Sequence, residues 1–263
     1  MKRAESPPLV SGAGAAIGTL GGLIGLGGAE FRLPLLISLF GFGALEAVIL
    51  NKAMSLIVVA SALPFRAASV PFASVFGHWD IILTLLGGSL AGAWFGAGGA
   101  TRLKSRTLYR ILAVLLVLIA GALLFGHDVA SSGRPLFDGA LLVVAGVVAG
   151  FGIGVVASLM GVAGGELLIP TIALLFGADL KLVGSLSLAV SLPTMIVGFT
   201  RYSRDQSFKV IREQRRFILL MALGSICGTF IGGQLLGLIP TAVLLPLLAM
   251  ILLISSVKVW RHS

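Results

Sequence analysis

The chain has 263 residues, of which 57% are hydrophobic and 11% charged. A soluble domain carries roughly 25% charged residues, so this chain lacks the polar surface that would cover a globule in water. The formal net charge is +9, but Lys and Arg lie in short loops and at the ends, not on one face interleaved with aromatic residues, which argues against a nucleic-acid partner. The composition predicts a protein embedded in a lipid bilayer.

Apolar stretches long enough to span a bilayer follow one another along the chain. They lie at about residues 9–26, 44–63, 79–99, 108–126, 137–160, 182–200, 217–237 and 241–260. Two shorter apolar stretches, 33–42 and 167–177, each follow a glycine cluster. The basic N-terminus resembles a signal peptide, but the similar stretches behind it favour a first spanning helix that is retained.

The two glycine clusters belong to an internal repeat. A shift of 136 residues places Gly25 on Gly161, Glu30 on Glu166 and Pro34 on Pro170. Chance matches among Gly, Ala and Leu are common in apolar sequence, whereas a constant offset that also matches Glu and Pro is not. We therefore predict a duplication, with residues 1–128 forming the first transmembrane repeat and 129–263 the second, within a single membrane domain.

Loop charges predict the orientation of the repeats. Loops 101–110 and 201–216 each have a net charge of +4, which places both in the cytoplasm. Their counterparts under the shift are uncharged overall, with zero net charge in 66–80 and no charge in 237–246. We predict an all-α polytopic membrane protein with two inverted repeats, each of four spanning helices plus a short broken or re-entrant helix, and both termini cytoplasmic. The alternative, four plus four spans of one orientation, would place one basic loop outside.

The glycine clusters predict helix breaks. Irregular backbone survives in a bilayer only inside protein or beside water, and paired breaks in inverted halves indicate a transport site at the midplane. The short helices would begin near Glu30 and Glu166, where their N-termini attract an anion. Proline costs little near a helix start. The residues assigned a structural role at the breaks are Gly25, Pro34, Gly161 and Pro170.

Charged residues near the breaks have two interpretations each. Glu30 and Glu166 either cap their short helices or take up a proton during transport. Arg32 has Leu168 as its counterpart, so the site should be asymmetric. Lys52, beside Asn51, either binds the substrate or pairs with Glu46 or Glu30, because a buried Lys is costly without a partner. Hydroxyls that could bind oxyanion oxygens are Ser55, Ser185, Ser187, Ser191 and Thr194, although bonding back to the helix is the simpler role.

The doubled pattern of a glycine cluster, a proline and Phe-Gly resembles the sulfite exporter TauE/SafE family, also called the TSUP permeases. Gly25–Pro34 with Phe40-Gly41, and Gly161–Pro170 with Phe176-Gly177, carry the resemblance. It implies a bacterial inner-membrane permease for sulfite, sulfonates or related organic anions. Arg32 and Lys52 depart from the family's pattern and would suit an anion with more charge.

The sequence therefore predicts a secondary membrane permease for a small sulfur or organic oxyanion, with proton coupling through Glu30 and Glu166 as a hypothesis. An anion channel of the same architecture is the alternative. An enzyme is disfavoured because the spans contain no nucleophile–base pair or metal-ligand cluster; no metal or cofactor is expected, and a homo-oligomer is left open. The predicted substrate-binding residues are Gly27, Gly28, Ala29, Glu30, Arg32, Asn51, Lys52, Ser55, Gly164, Gly165, Glu166, Ser187 and Ser191.

Overall fold

The computed structural model of the protein describes residues 6–24, 28–69, 72–125, 135–178, 180–235 and 241–261. Every regular element in these ranges is a helix, and a 3₁₀ turn at Gln206–Phe208 leads into the tenth of them. The helices are α1 (Pro7–Ile24), α2 (Ala29–Ser38), α3 (Ala44–Ser69), α4 (Phe72–Phe76), α5 (Trp79–Arg102), α6 (Ser105–Phe125), α7 (Gly139–Met160), α8 (Gly165–Phe176), α9 (Leu180–Tyr202), α10 (Lys209–Glu213), α11 (Arg215–Leu235) and α12 (Thr241–Trp260).

The all-α prediction is confirmed, and each apolar stretch read from the sequence coincides with a helix. The two short stretches are α2 and α8. Five segments of the described residues are long and apolar enough to cross a membrane: Ala44–Ser61, Trp79–Arg102, Gly139–Met160, Leu182–Tyr202 and Arg215–Gly232. The chain is thus a multi-pass membrane protein. The short helices α4 and α10 lie within the predicted loops 66–80 and 201–216, and the predicted repeat boundary at 128 falls outside the described residues.

Two glycine-lined seams join the first half of the chain to the second. Helix α5 packs on α7, and α1 packs on α11. A Cβ atom added at Gly92 would collide with the carbonyl of Phe151, and one at Gly228 with the carbonyl of Ala15. The glycine stripes of α5 (Gly88, Gly92 and Gly96) and α11 (Gly224 and Gly228) are therefore close-packing faces, since only glycine lets the two backbones approach this closely.

The partners in these seams follow the repeat. Under the 136-residue shift α1 corresponds to α7, and α5 corresponds to α11. The seam between α1 and α11 is therefore the counterpart of the seam between α5 and α7. Helix α6 also packs on its own counterpart, α12, and α3 packs on its counterpart, α9. Helices that correspond under the shift therefore make equivalent contacts.

Contacts along α5 give the directions of its neighbours. Gly88 faces Val147, and Gly96 faces Val155, so α5 and α7 run in the same direction. The hydroxyl of Ser89 lies 2.7 Å from that of Thr194. Farther along both helices, the ring of Trp94 lies 5.4 Å from the Arg201 guanidinium. Helix α9 therefore also runs in the direction of α5. Helices α7 and α9 are thus parallel to each other, although only α8 separates them in the sequence.

The α5–α7 seam gives the first prediction. We expect Gly92→Ala to lower the free energy of unfolding by about 1–3 kcal/mol, because the added methyl forces the two backbones apart. Thermal unfolding in detergent measures the effect. Gly152→Ala is the matched control, since nothing lies within 4 Å of a Cβ atom added there and alanine favours a helix over glycine. Equal losses in both variants would contradict the close-packing role of the stripe.

Candidate functional site

Glycines in the left-handed region interrupt the chain at both predicted breaks. Gly28, with φ of 71°, directly precedes α2, and Gly164, with φ of 81°, directly precedes α8. Gly161, with φ of 69°, ends α7. Residues other than glycine rarely adopt this backbone conformation, so the clusters predicted breaks at the right positions. Gly25 and Gly27 lie outside the described residues.

The prolines of the short helices loosen their first turns. Pro34 stands four residues after Glu30, and Pro170 stands four residues after Glu166. Both lie inside their helices. Since proline has no N–H, the carbonyls of Glu30 and Glu166 lack their usual helical donor. Each break is therefore followed by a second interruption of backbone hydrogen bonding beside a glutamate.

The carboxyl groups of Glu30 and Glu166 meet inside the protein. Glu30 is fully buried, and Glu166 is 6% exposed. None of their four oxygens has a hydrogen-bond partner among the described residues, and the two carboxyl groups lie close enough for each to feel the other's charge. Each also lies in the first turn of its short helix, where the helix dipole favours an anion. The two breaks are thus adjacent in space.

Arg32 links three helices beside this pair. Its Nη1 donates to Oδ1 of Asn51 and to Oγ of Ser55, each at 3.3 Å. Its Nη2 donates to Oγ of Ser225 at 3.2 Å. The guanidinium is fully buried and its field reaches Glu30. The arginine thereby joins α2 to α3 and α11, and its counterpart Leu168 lies in an apolar cluster, so the predicted asymmetry of the halves is present at this position.

Asn51 and Lys52 on α3 bind the backbone of both breaks. Nδ2 of Asn51 donates to the carbonyl of Ala29 at 3.0 Å and to that of Met160 at 3.1 Å. Nζ of Lys52 donates to the carbonyls of Ala157 and Val162, at 3.2 and 3.3 Å. The ammonium group thus bonds the C-terminal end of α7 and not the carboxylates of Glu46 or Glu30, which were the partners considered from the sequence.

Helix α9 completes the support of this region. The hydroxyl of Tyr202 donates to the carbonyl of Ser158 at 2.8 Å. A Cβ atom at Gly198 would lie 3.1 Å from Cε of Lys52, so the lysine stem packs on this glycine. Sequence reasoning missed Tyr202 and Ser158, which carry no motif. Ser225 corresponds to Ser89 under the 136-residue shift, and that match is its one signal in the sequence.

The remaining predicted residues are divided between the two halves. Ser55 is 2% exposed and joins the Arg32 network. Ser187 and Ser191 on α9 are buried, at 4% and 2% exposure, but neither bonds the residues described above. The hydroxyl of Ser191 has no hydrogen-bond partner in the described part of the chain. Gly165 begins α8 and is buried. The structure therefore brings the described first-half residues together with Glu166, and the α9 serines make no hydrogen bond to this group.

Comparison with known proteins supports the family resemblance over the first half of the chain. Residues 1–123 match the model of the sulfite exporter TauE/SafE family. This range contains the first break with Glu30, Arg32, Asn51 and Lys52, so the resemblance seen in the sequence is confirmed there. No curated protein and no solved structure matches the chain. The family match and the apolar helices together indicate a membrane transporter.

The contacts of Asn51 give the second prediction. Asn51→Leu removes the donor shared by the two breaks, and we expect it to lower the free energy of unfolding by about 1–3 kcal/mol because two buried carbonyls lose a bond. Ser187→Ala, at the counterpart position, is the control, since Ser187 has no hydrogen-bond partner among the described residues. Thermal unfolding in detergent compares them. If the control lost as much free energy of unfolding as Asn51→Leu, the hydrogen bonds from Asn51 to the two breaks would not be the cause of the loss.

Proposed function

We propose that the chain is a secondary permease that moves a small anion, such as sulfite, a sulfonate or a related oxyanion, across the bacterial inner membrane. One observation carries the proposal. The N-termini of two short helices meet within the buried interior, each with its glutamate, beside the buried cations Arg32 and Lys52. Burying four charged groups inside a membrane protein is costly, and intramembrane ionisable groups mark substrate pathways.

An inverted arrangement of the two repeats supports a midplane location. The parallel course of α7 and α9 requires the chain to reverse twice between them, so α8 counts as a crossing element. By the repeat, α2 does the same for α1 and α3. Each half then has five crossing elements, and the second half is inverted relative to the first. Glu30 and Glu166 are equivalent residues, and equivalent residues touch only where the axis that relates the halves passes.

The basic ends of the helices support cytoplasmic termini. Arg110 near the start of α6 lies 5.6 Å from the ring of Trp260 at the end of α12. Arg201 and Arg204 lie against Trp94, toward the end of α5. The loops predicted to be cytoplasmic and the C-terminal helix end thus gather at one side, which agrees with the positive-inside rule.

The N-terminal groups of α2 and α8 suit an anionic ligand. Helix N-termini offer unpaired N–H groups and a partial positive charge, here from the backbone of Gly28, Ala29, Gly164 and Gly165. Arg32 and Lys52 add full positive charges. In this proposal the hydroxyls of Ser55, Ser187 and Ser191 bond the outer oxygens of an oxyanion that enters between α3 and α9. Arg32 and Lys52 would then each serve the fold and the substrate.

Glu30 and Glu166 supply the proton coupling in this proposal. An ionised carboxylate at each helix N-terminus competes with the substrate for the same positive field. Two carboxyl groups in contact away from water also repel when both are ionised. A proton taken up by the pair removes part of this repulsion, and the anion can then enter. Proton uptake and anion binding thus favour each other.

A basic cavity at the cytoplasmic end supports delivery of anions from that side. The cavity has a volume of about 510 Å³ and lies beneath the start of α1 and α11. Its lining includes Arg212, Arg215 and Arg216 against one acid, Glu213. A concave surface of one charge raises the local concentration of the opposite ion. The same loop carries the net charge of +4 noted in the sequence.

The third prediction tests the placement of the site. Arg32→Leu and Lys52→Met should each reduce sulfite flux in proteoliposomes by about tenfold or more, since a lost charged hydrogen bond is worth roughly 1.5–3 kcal/mol. Arg106→Leu, at an exposed position in the first turn of α6, is the control for lost positive charge and should transport like the parent. Normal flux in both site variants, with the protein inserted, would place the site elsewhere.

The same vesicles separate a carrier from a channel. Flux that saturates with sulfite and responds to a proton gradient supports the permease. Unitary currents in a planar bilayer would instead support an anion channel with the same constriction.

A further inference from the structure

In the described part of the protein, the buried side chains include equal numbers of positive and negative groups. Among the described residues, four charged side chains are buried: Glu30, Arg32 and Lys52 at 0% exposure, and Glu166 at 6%. They lie on α2, α3 and α8, around the two breaks. Glu30 interacts with Glu166 and with Arg32, and Lys52 bonds Val162, which lies four residues before Glu166. Two positive and two negative groups therefore share one water-poor region.

The surrounding helices add no further charge to this region. Tyr202 of α9 is bonded to a carbonyl, and α11 contributes the neutral Ser225. The sequences of α1 and α7 contain no ionisable residue, and those of α5, α6, α9 and α12 have their charged residues near the helix ends. On α11 the basic residues stand at the start, and Cys227 is exposed. With Arg32 and Lys52 protonated, the charge of the site is thus set by protons on the two glutamates.

Counting protons gives the charge that an anion meets. With both glutamates ionised the site is neutral, because Arg32 and Lys52 offset them. One proton on the pair gives a net charge of +1, and two protons give +2. A net charge is costly in a low-dielectric interior, so the protonated site is stable when an anion of matching charge occupies it. The neutral site offers a further anion no compensation.

We propose that one proton enters the Glu30–Glu166 pair for each monovalent anion carried, so that the loaded site is neutral and transport is electroneutral proton–anion symport. A divalent anion then needs two protons. The proton comes from water on the side where the anion enters and leaves with it on the other side. This inference rests on the proposed function, and it names the charge class and the coupling ratio of that same site.

The fourth prediction measures the coupling in proteoliposomes with methanesulfonate, a monovalent anion throughout the neutral range. A roughly tenfold proton gradient should sustain a roughly tenfold methanesulfonate gradient at equilibrium, as one-to-one coupling requires. A potassium gradient with valinomycin sets the membrane potential separately and should change neither the rate nor the final gradient. Flux that follows the potential as a bare anion does would overturn the inference. Absence of both methanesulfonate and sulfite flux would instead reject the proposed permease function.

Charge variants test whether the net charge of the site determines how many protons accompany the anion. Glu30→Gln leaves two cations and one carboxylate, a permanent net charge of +1, so the anion should bind without a proton. Transport should then respond to membrane potential and lose its dependence on the proton gradient. Adding Arg32→Leu returns the net charge to zero with one titratable carboxyl, so the lower flux that remains in the double variant should again be electroneutral and coupled to the proton gradient. Proton coupling that survives unchanged in Glu30→Gln would refute the proposal.

A second set of variants separates the effect of charge from the effect of misfolding. Glu166→Gln should behave like Glu30→Gln, and Glu166→Gln with Lys52→Met should behave like the first double variant. Each protein is compared for monodisperse elution and thermal unfolding before reconstitution. Restoration of coupling in either double variant supports the charge balance, because a merely structural role of these residues predicts that a second substitution adds damage. Double variants that fold but stay uncoupled would count against it.

Discussion

The whole arrangement depends on how α3 satisfies the backbone of two broken helices inside a bilayer. Carbonyls without a donor cannot turn to water there. Asn51 bonds one carbonyl from each break, and Lys52 bonds two more at the end of α7. These bonds hold the breaks against one helix and therefore against each other. The contact between Glu30 and Glu166 is a consequence of that attachment.

This attachment changes how Lys52 should be understood. From the sequence, substrate binding and a structural partner were alternatives for a buried lysine. An ammonium group has three donors, and two are used on the carbonyls of Ala157 and Val162. A positive charge is favoured at the C-terminal end of a helix, so the bonds to α7 account for part of the charge. In the proposed mechanism the same charge also compensates the paired glutamates, while the hydrogen bonds fix the end of α7.

Hydropathy and the constant offset predicted the helices and both breaks, because bilayer thickness and the repeat act on every residue. Partners across the halves were beyond this reasoning. Lys52 reaches carbonyls 105 and 110 residues away in the sequence, and backbone acceptors carry no residue signature. The nearest carboxylates, at Glu46 and Glu30, were therefore the natural candidates. Glu46 instead accepts from the backbone N–H of Gly43 at the start of α3. The role of Tyr202 could not be predicted for the same reason, since its hydroxyl also donates to a backbone carbonyl.

The asymmetry of the duplicated halves follows from the same balance. The repeat doubles the glutamate, because each short helix needs an acid or an anion at its N-terminus. It does not double Arg32 or Lys52, whose counterparts are Leu168 and Leu188. Doubling both cations would set four positive charges against two negative ones in a buried region, at a cost that the paired breaks could not offset. With both cations in one half, two positive charges face two negative ones. The other half provides the carbonyls at the end of α7 that accept hydrogen bonds from Lys52.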